Sequence, residues 1–134
     1  MNKLTGNIIL IESSQHMSMV DVDVHGDVFS SIILETPSTA PYLKLGTSIT
    51  LLFKETEVSI AKNLSGLISL RNRVKAIIKK KEESEILTKI ILDYKGHEII
   101  SFISTRSAQR LSLKDGDEVE WLVKTNEVSL YKEA

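Results

Sequence analysis

The chain has 134 residues, a formal net charge of −1 at pH 7 and no cysteine. This charge balance argues against a nucleic-acid polyanion as the main partner, and the lack of cysteine excludes disulfide and thiolate chemistry. No apolar run approaches the ~20 residues of a membrane-spanning helix, and the N-terminus lacks the features of a signal peptide, so we expect a cytoplasmic protein.

The chain consists of two similar halves. Residues 2–62 align with residues 72–132 at a constant shift of 70 positions and without a gap. The segment FKETEVSIAK at 53–62, for example, returns as VKTNEVSLYK at 123–132. A gapless match of this length indicates two copies of one structural unit.

The two units are predicted to span residues 1–63 and 64–134. A unit of about 60 residues buries only ~60% of the surface that its unfolded chain exposes, so it is marginally stable by itself. We therefore expect each unit to cover part of the other.

Each unit opens with a predicted strand, NIILIE in the first copy and VKAIIKK in the second. The segment VDVDV at 20–24 alternates valine with aspartate, which is typical of a half-buried strand. Gly26 and Gly96 then supply the positive φ that a tight hairpin needs. A further strand follows each hairpin, VFSSIIL at 28–34 and EIISFIS at 98–104.

The next segments, STAPYL and TRSAQRL, are predicted to form one short helical turn in each copy, with Pro37 and Pro41 making the first turn irregular. Strands TSITLLFK and EVSI close the first copy, and DEVEWLVK and EVSL close the second. This order predicts an all-β fold of two tandem OB-like five-stranded β-barrels, each with one short helical turn. Trp121 alternates with Val119 and Val123, which indicates the barrel core or a subunit interface.

Three short segments of the second half carry hydrogen-bond donors. Ser69-Leu70-Arg71-Asn72 places a hydroxyl and a guanidinium two residues apart, where one face of an extended segment presents both. Ser104-Thr105-Arg106-Ser107 ends a strand and begins a helical turn, where backbone N–H groups favour anions. Lys124 ends the fourth strand of the second copy. None of these segments contains a carboxylate, so together they predict an anion site.

In order and spacing these segments resemble the Mop, or TOBE, domains, which bind molybdate and related oxyanions. The matching elements are Ser69-Leu70-Arg71-Asn72, the run from Ile103 to Ala108 with the turn from Leu113 to Gly116, and the run from Lys124 to Val128. The resemblance implies a tandem Mop protein that forms a homotrimer and holds oxyanions at interfaces between barrels. The residues it implies are Ser69, Arg71, Asn72, Ser104, Thr105, Ser107 and Lys124. Ser69 and Arg71 would lie on one side of the ion, with Ser104, Ser107 and Lys124 on a neighbouring surface.

The first copy departs from this pattern. Leu34, Glu35 and Pro37 stand where the second copy has two serines and a threonine, so hydroxyls are lost and a negative charge is added. The weaker candidate positions in this copy are Asn2, Lys54 and Thr56. We expect the first copy either to serve chiefly as a packing partner or to bind an ion through backbone amides.

The donor-only motifs fit a particular kind of ligand. Molybdate is a dianion with only acceptor oxygens at neutral pH, whereas hydrogen phosphate carries a proton that needs an acceptor. Leaving that proton unpaired costs roughly 1–3 kcal/mol, which favours molybdate. Tungstate and sulfate present the same acceptor-only oxygens, so the sequence does not distinguish which of the three ions is the ligand.

The function favoured by these features is intracellular binding, storage or homeostasis of molybdate or tungstate. No nucleophile elbow, Walker loop or dinucleotide fingerprint occurs, so we expect neither an enzyme nor an organic cofactor. One alternative is the ligand-sensing domain of a molybdate-responsive transcription regulator or transporter. A more remote alternative is an OB-type nucleic-acid-binding module, against which the aromatic content of 5% counts. His16, His25 and His97 are scattered in the sequence and indicate no metal site.

Overall fold

A computed structural model describes residues 1–133 of the chain, which form two curled antiparallel sheets of five strands each. The elements of the first copy are β1 (Asn2–Ser13), β2 (Ser18–Val24), β3 (Asp27–Ile33), β4 (Ser48–Phe53), a 3-10 turn (Glu55–Glu57) and β5 (Ser59–Ala61). Those of the second copy are β6 (Asn72–Glu83), β7 (Leu87–Tyr94), β8 (His97–Ser104), α1 (Thr105–Arg110), β9 (Glu118–Val123), a 3-10 turn (Thr125–Glu127) and β10 (Ser129–Tyr131).

The hairpins between β2 and β3 and between β7 and β8 form where the sequence predicts them. Their two-residue loops are His25-Gly26 and Lys95-Gly96, and all four residues have positive φ, with glycine at 90° and 87°. Such loops match the right-handed twist of the flanking strands, so each loop fixes the register of its hairpin.

The valines of β2 are buried as predicted, with Val20 and Val22 fully enclosed. The other face of the strand is not simply solvated, however. Asp21 is only 7% exposed because strands and side chains of both copies cover it. The alternation in VDVDV therefore predicts the strand correctly, but it does not predict that the Asp21 carboxylate is buried.

The closing strands are exchanged between the two copies. The strand orders are β10-β4-β1-β2-β3 and β5-β9-β6-β7-β8, so the last strand of each copy completes the sheet of the other. In the register, Ser129 pairs with Leu52 and Ser59 pairs with Leu122. The sequence predicts closing strands at EVSI and EVSL but assigns each to its own copy. The division of the repeat after residue 63 stays a prediction, since each sheet contains strands from both sides of it.

A single hydrophobic cluster runs through both copies. At its centre, Trp121 is fully buried and stacks on Phe29 and Phe53 of the first copy, with ring centroids 5.6 and 5.5 Å apart. Trp121 thus lies in the core, one of the two locations that the sequence predicts. The shared core also explains how two short units become stable together.

Two asparagines bind the copies to each other in equivalent ways. Asn72 accepts a hydrogen bond from the Ser30 backbone N–H at 2.7 Å and donates one to the Ser30 carbonyl at 2.9 Å. Asn2 makes the same pair of bonds with Ile100, at 2.9 and 2.8 Å. Position 30 plus the repeat shift is position 100, so the two copies are related by an approximate twofold axis.

The helical insertion differs between the copies. In the second copy α1 forms at the predicted place, with the Ser104 side chain capping its N-terminus. The first copy has hydrogen-bonded turns there, including a bond from the Ala40 N–H to the Thr36 carbonyl at 2.8 Å. Pro37 and Pro41 lack the N–H groups that would extend the helix. Within residues 1–133 no helix has the length and apolar character needed to cross a bilayer.

Candidate functional site

Arg71 and Lys124 lie beside each other at one end of the second sheet. Arg71 directly precedes β6 and Lys124 directly follows β9, and the adjoining residues Asn72 and Val123 are register partners. Both side chains are exposed, as is Ser69 two residues earlier. The backbone therefore places Arg71 and Lys124 at adjoining strand ends on the surface, with Ser69 two residues before Arg71.

Ser104, Thr105 and Ser107 lie at the other end of the same sheet. Ser104 pairs with Leu87 at the β6–β7 hairpin, beyond Glu83 at the end of β6. A strand rises about 3.3 Å per residue, so the eleven steps from Asn72 to Glu83 amount to roughly 35 Å along the chain. The seven candidate residues thus form two groups, and Lys124 lies with Arg71 rather than with the serines.

The serine group keeps one hydroxyl hydrogen available. Ser104 Oγ accepts from the Ser107 backbone N–H at 3.0 Å and donates to Ser107 Oγ at 2.9 Å, which leaves the Ser107 hydroxyl hydrogen for another acceptor. Thr105 is different because it is 6% exposed and its hydroxyl donates to the Ser84 carbonyl at 2.7 Å. Its hydroxyl also bonds that of Thr88, so Thr105 holds the hairpin in place.

Lys124 lines a surface cleft of about 290 Å³ together with residues of both copies. Thr56, a candidate position of the first copy, lies in this cleft because the exchanged strand β5 brings it there. Lys54 lies in an equivalent cleft of about 220 Å³ with Asn126. The two clefts share Glu57 and Glu127, so Lys54 and Thr56, two residues apart in the chain, line neighbouring clefts.

The Lys124 cleft also contains carboxylates. Glu57 and Glu127 both line it, although the donor motifs themselves have none. Within residues 1–133, Lys124 has no carboxylate oxygen within 4.0 Å of its ammonium, so its charge is not neutralised by an ion pair. A cleft of this kind in one chain is less selective for an unprotonated anion than the motifs alone predict.

Arg71 reaches across to the first copy. Its Nε donates to Ser30 Oγ at 2.6 Å, and its Nη2 lies 3.5 Å from Asp21 Oδ2. Ser30 Oγ in turn donates to Asp21 Oδ1 at 2.6 Å. The Arg71 side chain nevertheless stays 52% exposed, and the guanidinium retains N–H donors beyond Nε for an anion.

Asp21 and Ser30 are contacts of the candidate site that the sequence does not reveal. Asp21 precedes Arg71 by fifty positions, and only the folded chain brings them together. The one signal in the sequence is that the repeat has Ile91 where the first copy has Asp21. Asn2 and Asn72, by contrast, use both ends of their amide groups in the contacts between copies.

His25 and His97, scattered in the sequence, meet at the hairpin loops of the two copies. Their rings stack with centroids 4.7 Å apart, and their Nε2 atoms are 2.7 Å apart. Within residues 1–133 no group of three or more histidine, cysteine, aspartate or glutamate side chains is arranged to hold a metal ion. The pair is a contact between the copies.

Asp27 lies next to this pair and is bonded to the second copy through Tyr94 and Lys95. Burial opposes the charge of Asp27, but hydrogen bonds from the Tyr94 hydroxyl and the Lys95 ammonium outweigh it and hold the pKa of Asp27 below its ordinary value of 3.8. Burial and the same hydrogen bond raise the pKa of Tyr94.

The sequence of the second copy matches a known family. The model of the TOBE domain aligns with residues 68–130, which contain Ser69, Arg71, Ser107 and Lys124. The second copy of the repeat is a TOBE domain. The fold of the whole chain also has a close counterpart among solved structures. The cytoplasmic molybdate-binding protein ModG, in a form with molybdate bound, superposes with a TM-score of 0.91. It is 23% identical and the match covers 98% of this chain and 96% of ModG.

A second solved structure matches one half of the chain. It is a molybdate-binding protein from Sporomusa ovata, 37% identical over 50% of this chain and 100% of its own, with a TM-score of 0.49. No curated protein matches the chain. The likeness to ModG confirms the predicted all-β fold of two OB-like five-stranded units.

Proposed function

We propose that this protein binds molybdate or tungstate without catalysis, as an intracellular store or buffer of the oxyanion in the cytoplasm. The observation that carries the proposal is the position of Arg71 and Lys124, two exposed cations at adjoining strand ends, with the exposed Ser69 two residues before Arg71. The TOBE domain in the second copy supports it, as does a fold shared with ModG, which binds molybdate.

The donor types suit a tetrahedral dianion. A guanidinium offers a planar fork of N–H groups, an ammonium offers a compact charge, and hydroxyls donate one bond each. Hydrogen bonds between such charged groups and oxyanion oxygens are shorter and stronger than neutral ones. Arg71, Lys124 and Ser69 therefore supply one half of a site for molybdate.

The other half comes from a neighbouring chain in this proposal. Ser104 and Ser107 lie at the opposite end of the second sheet, roughly 35 Å of strand along β6, so within one chain they belong to a different surface from Arg71. At Arg71 of a neighbouring chain, these serines would supply the remaining donors to the ion. The assembly implied by the family resemblance is a homotrimer.

Exposed apolar side chains flank both halves of the proposed site. Leu67 and Ile68 precede Ser69 and are 105% and 44% exposed, while Ile86 and Leu87 adjoin Ser104 and are 75% and 51% exposed. Neighbouring apolar side chains of this size mark surfaces that become buried on association. Their contact would exclude water from an ion held between the two halves.

Calorimetric titration with molybdate tests the role of Arg71. Arg71→Ala is expected to cost about 1.5–3 kcal/mol of binding free energy, the value of a charged hydrogen bond. Arg73→Ala is the control, because Arg73 lies two residues after Arg71 and its Nε donates to Glu120 of β9 at 2.6 Å. The wild-type protein should also prefer molybdate and tungstate to phosphate. Unchanged molybdate affinity in Arg71→Ala would show that the ion binds elsewhere.

A further inference from the structure

The contacts around Arg71 form a chain of three side chains. Asp21 accepts the hydrogen of Ser30 Oγ at 2.6 Å, so the lone pairs of that oxygen are turned to accept from Arg71 Nε, also at 2.6 Å. Ser30 is fully buried, and the Asp21 side chain is 11% exposed. Ser30 thus fixes the guanidinium by a direct bond, whereas Asp21 acts on it through its charge at 3.5 Å.

The repeat shows that the fold does not need these side chains. Ile91 and Ile100 occupy the positions equivalent to Asp21 and Ser30, on the same paired strands of the second copy. The backbone N–H of Ile100 still donates to the side chain of Asn2, as the backbone N–H of Ser30 donates to that of Asn72. Two apolar residues therefore support the same local structure that contains a buried carboxylate in the first copy.

A buried carboxylate is also a poor way to gain stability. Removing a carboxylate from water is costly, and apolar residues of similar volume often stabilise a fold equally well or better. Its charge, however, acts on any anion that reaches the exposed side of Arg71. A negative charge a few ångströms behind the guanidinium repels a dianion, so it lowers the affinity of the site.

We propose that Asp21 sets the affinity of the oxyanion site by weakening it, while Ser30 positions the guanidinium of Arg71 for the ion. This inference rests on the proposed function, since it assigns a regulator to the same site. Because Asp21 lowers the affinity, the ion held by Arg71 and Lys124 is released at a higher free concentration than it would be without this carboxylate. The two residues therefore act in opposite directions although they are bonded to each other.

Molybdate titrations of four proteins test the assignment. Asp21→Asn removes the charge and keeps an oxygen for the Ser30 hydroxyl, so it should bind molybdate more tightly, on the order of tenfold. Ser30→Ala leaves the guanidinium without its direct bond and should weaken binding several-fold. Asp23→Asn is the control, because it makes the same chemical change two residues along β2 without contact to Arg71, and it should stay within about twofold of wild type.

The outcomes separate the two proposals. Unchanged or weaker binding in Asp21→Asn, with normal binding by wild type, overturns the role of Asp21 and leaves the proposed function intact. The same follows if Asp23→Asn tightens binding as much as Asp21→Asn. If none of the four proteins binds molybdate at millimolar concentration, both proposals fail. Urea unfolding of each variant shows whether the fold is preserved, and a purely structural role would change stability without moving the affinities in opposite directions.

Discussion

Asn72 shows how one side chain can hold two copies of a repeat together. Its amide pairs with both backbone groups of Ser30, and Asn72 itself is 1% exposed. Buried backbone N–H and C=O groups need partners, and an unpaired one costs about 1–3 kcal/mol. The contact is repeated by Asn2 at Ile100, so each copy contributes one such asparagine.

Replacing this asparagine should destabilise the protein strongly. Asn72→Ala leaves the N–H and C=O of Ser30 unpaired, so we expect the free energy of unfolding to fall by about 2–4 kcal/mol. Asn7→Ala is the matched control, since Asn7 is exposed on β1 and should change stability by less than ~0.5 kcal/mol. Urea denaturation measures both. An equal, small effect in the two variants would show that Asn72 does not hold the copies together.

Asp27 provides a prediction about pH. A carboxyl whose pKa is lower in the folded than in the unfolded chain stabilises the fold above its unfolded pKa, and this stabilisation is lost as the pH falls through the folded value. The unfolded value is near 3.8, so Asp27 contributes fully at neutral pH and progressively less below about pH 4.

The variant Asp27→Asn removes this contribution at every pH. Wild type should therefore be more stable than Asp27→Asn at pH 7, and the difference should shrink below about pH 4. Urea denaturation from pH 3 to 7 gives the difference directly. A difference that stays constant over this range would exclude the assigned role of Asp27.

At the scale of elements, the exchanged strands explain why the two copies form one molecule. Each short closing strand contributes its backbone to the other copy's sheet, and neither sheet reaches five strands without it. The strands also carry the 3-10 turns that precede them into the opposite copy, which is how Thr56 comes to lie near Lys124.

Proline substitutions in the closing strands should reveal the exchange. Leu130→Pro disrupts β10, so amide protection from hydrogen exchange should fall in β4 of the first copy, where Leu130 pairs with Leu51. Ile60→Pro is the matched variant, and it should lower protection in β9 of the second copy, where Ile60 pairs with Trp121. Loss of protection in β9 from Leu130→Pro would mean that each copy closes its own sheet.

Most elements of the fold can be predicted from the sequence because their signals are local. The alternation in VDVDV, the loop glycines Gly26 and Gly96 and the closing strands all occur where they are predicted. The exchange is not local: EVSI and EVSL differ at one position, so the sequence does not distinguish which sheet each strand joins. Proline at positions 37 and 41 does predict the irregular turn that replaces a helix in the first copy.

At the scale of the whole molecule, the sequence predicts donors but not their grouping. Ser69, Arg71 and Lys124 share one end of the second sheet, while Ser104 and Ser107 lie at the other. Spacing along the chain does not predict this grouping, because the grouping depends on the length of β6 and on the register of β6 with β9. Nor does the sequence show Asp21 behind Arg71, a contact between positions fifty residues apart.

The separation of the two donor groups makes association part of the proposed function. In this proposal, one chain presents half of a site at each end of the sheet, and exposed apolar side chains adjoin both groups of donors. Assembly of several chains in a ring would pair unlike halves at every interface. For a homotrimer the expected mass is three times 15.0 kDa, or about 45 kDa.

Complementation between two inactive chains tests this account most directly. Arg71→Ala is refolded together with a chain that carries both Ser104→Ala and Ser107→Ala, in equal amounts, and the mixture is titrated with molybdate. If each site takes Arg71 from one chain and the serines from its neighbour, random assembly restores wild-type affinity at about one quarter of the sites. A co-assembled mixture without any site of wild-type affinity would contradict the account, because the two groups of donors would then not meet between chains.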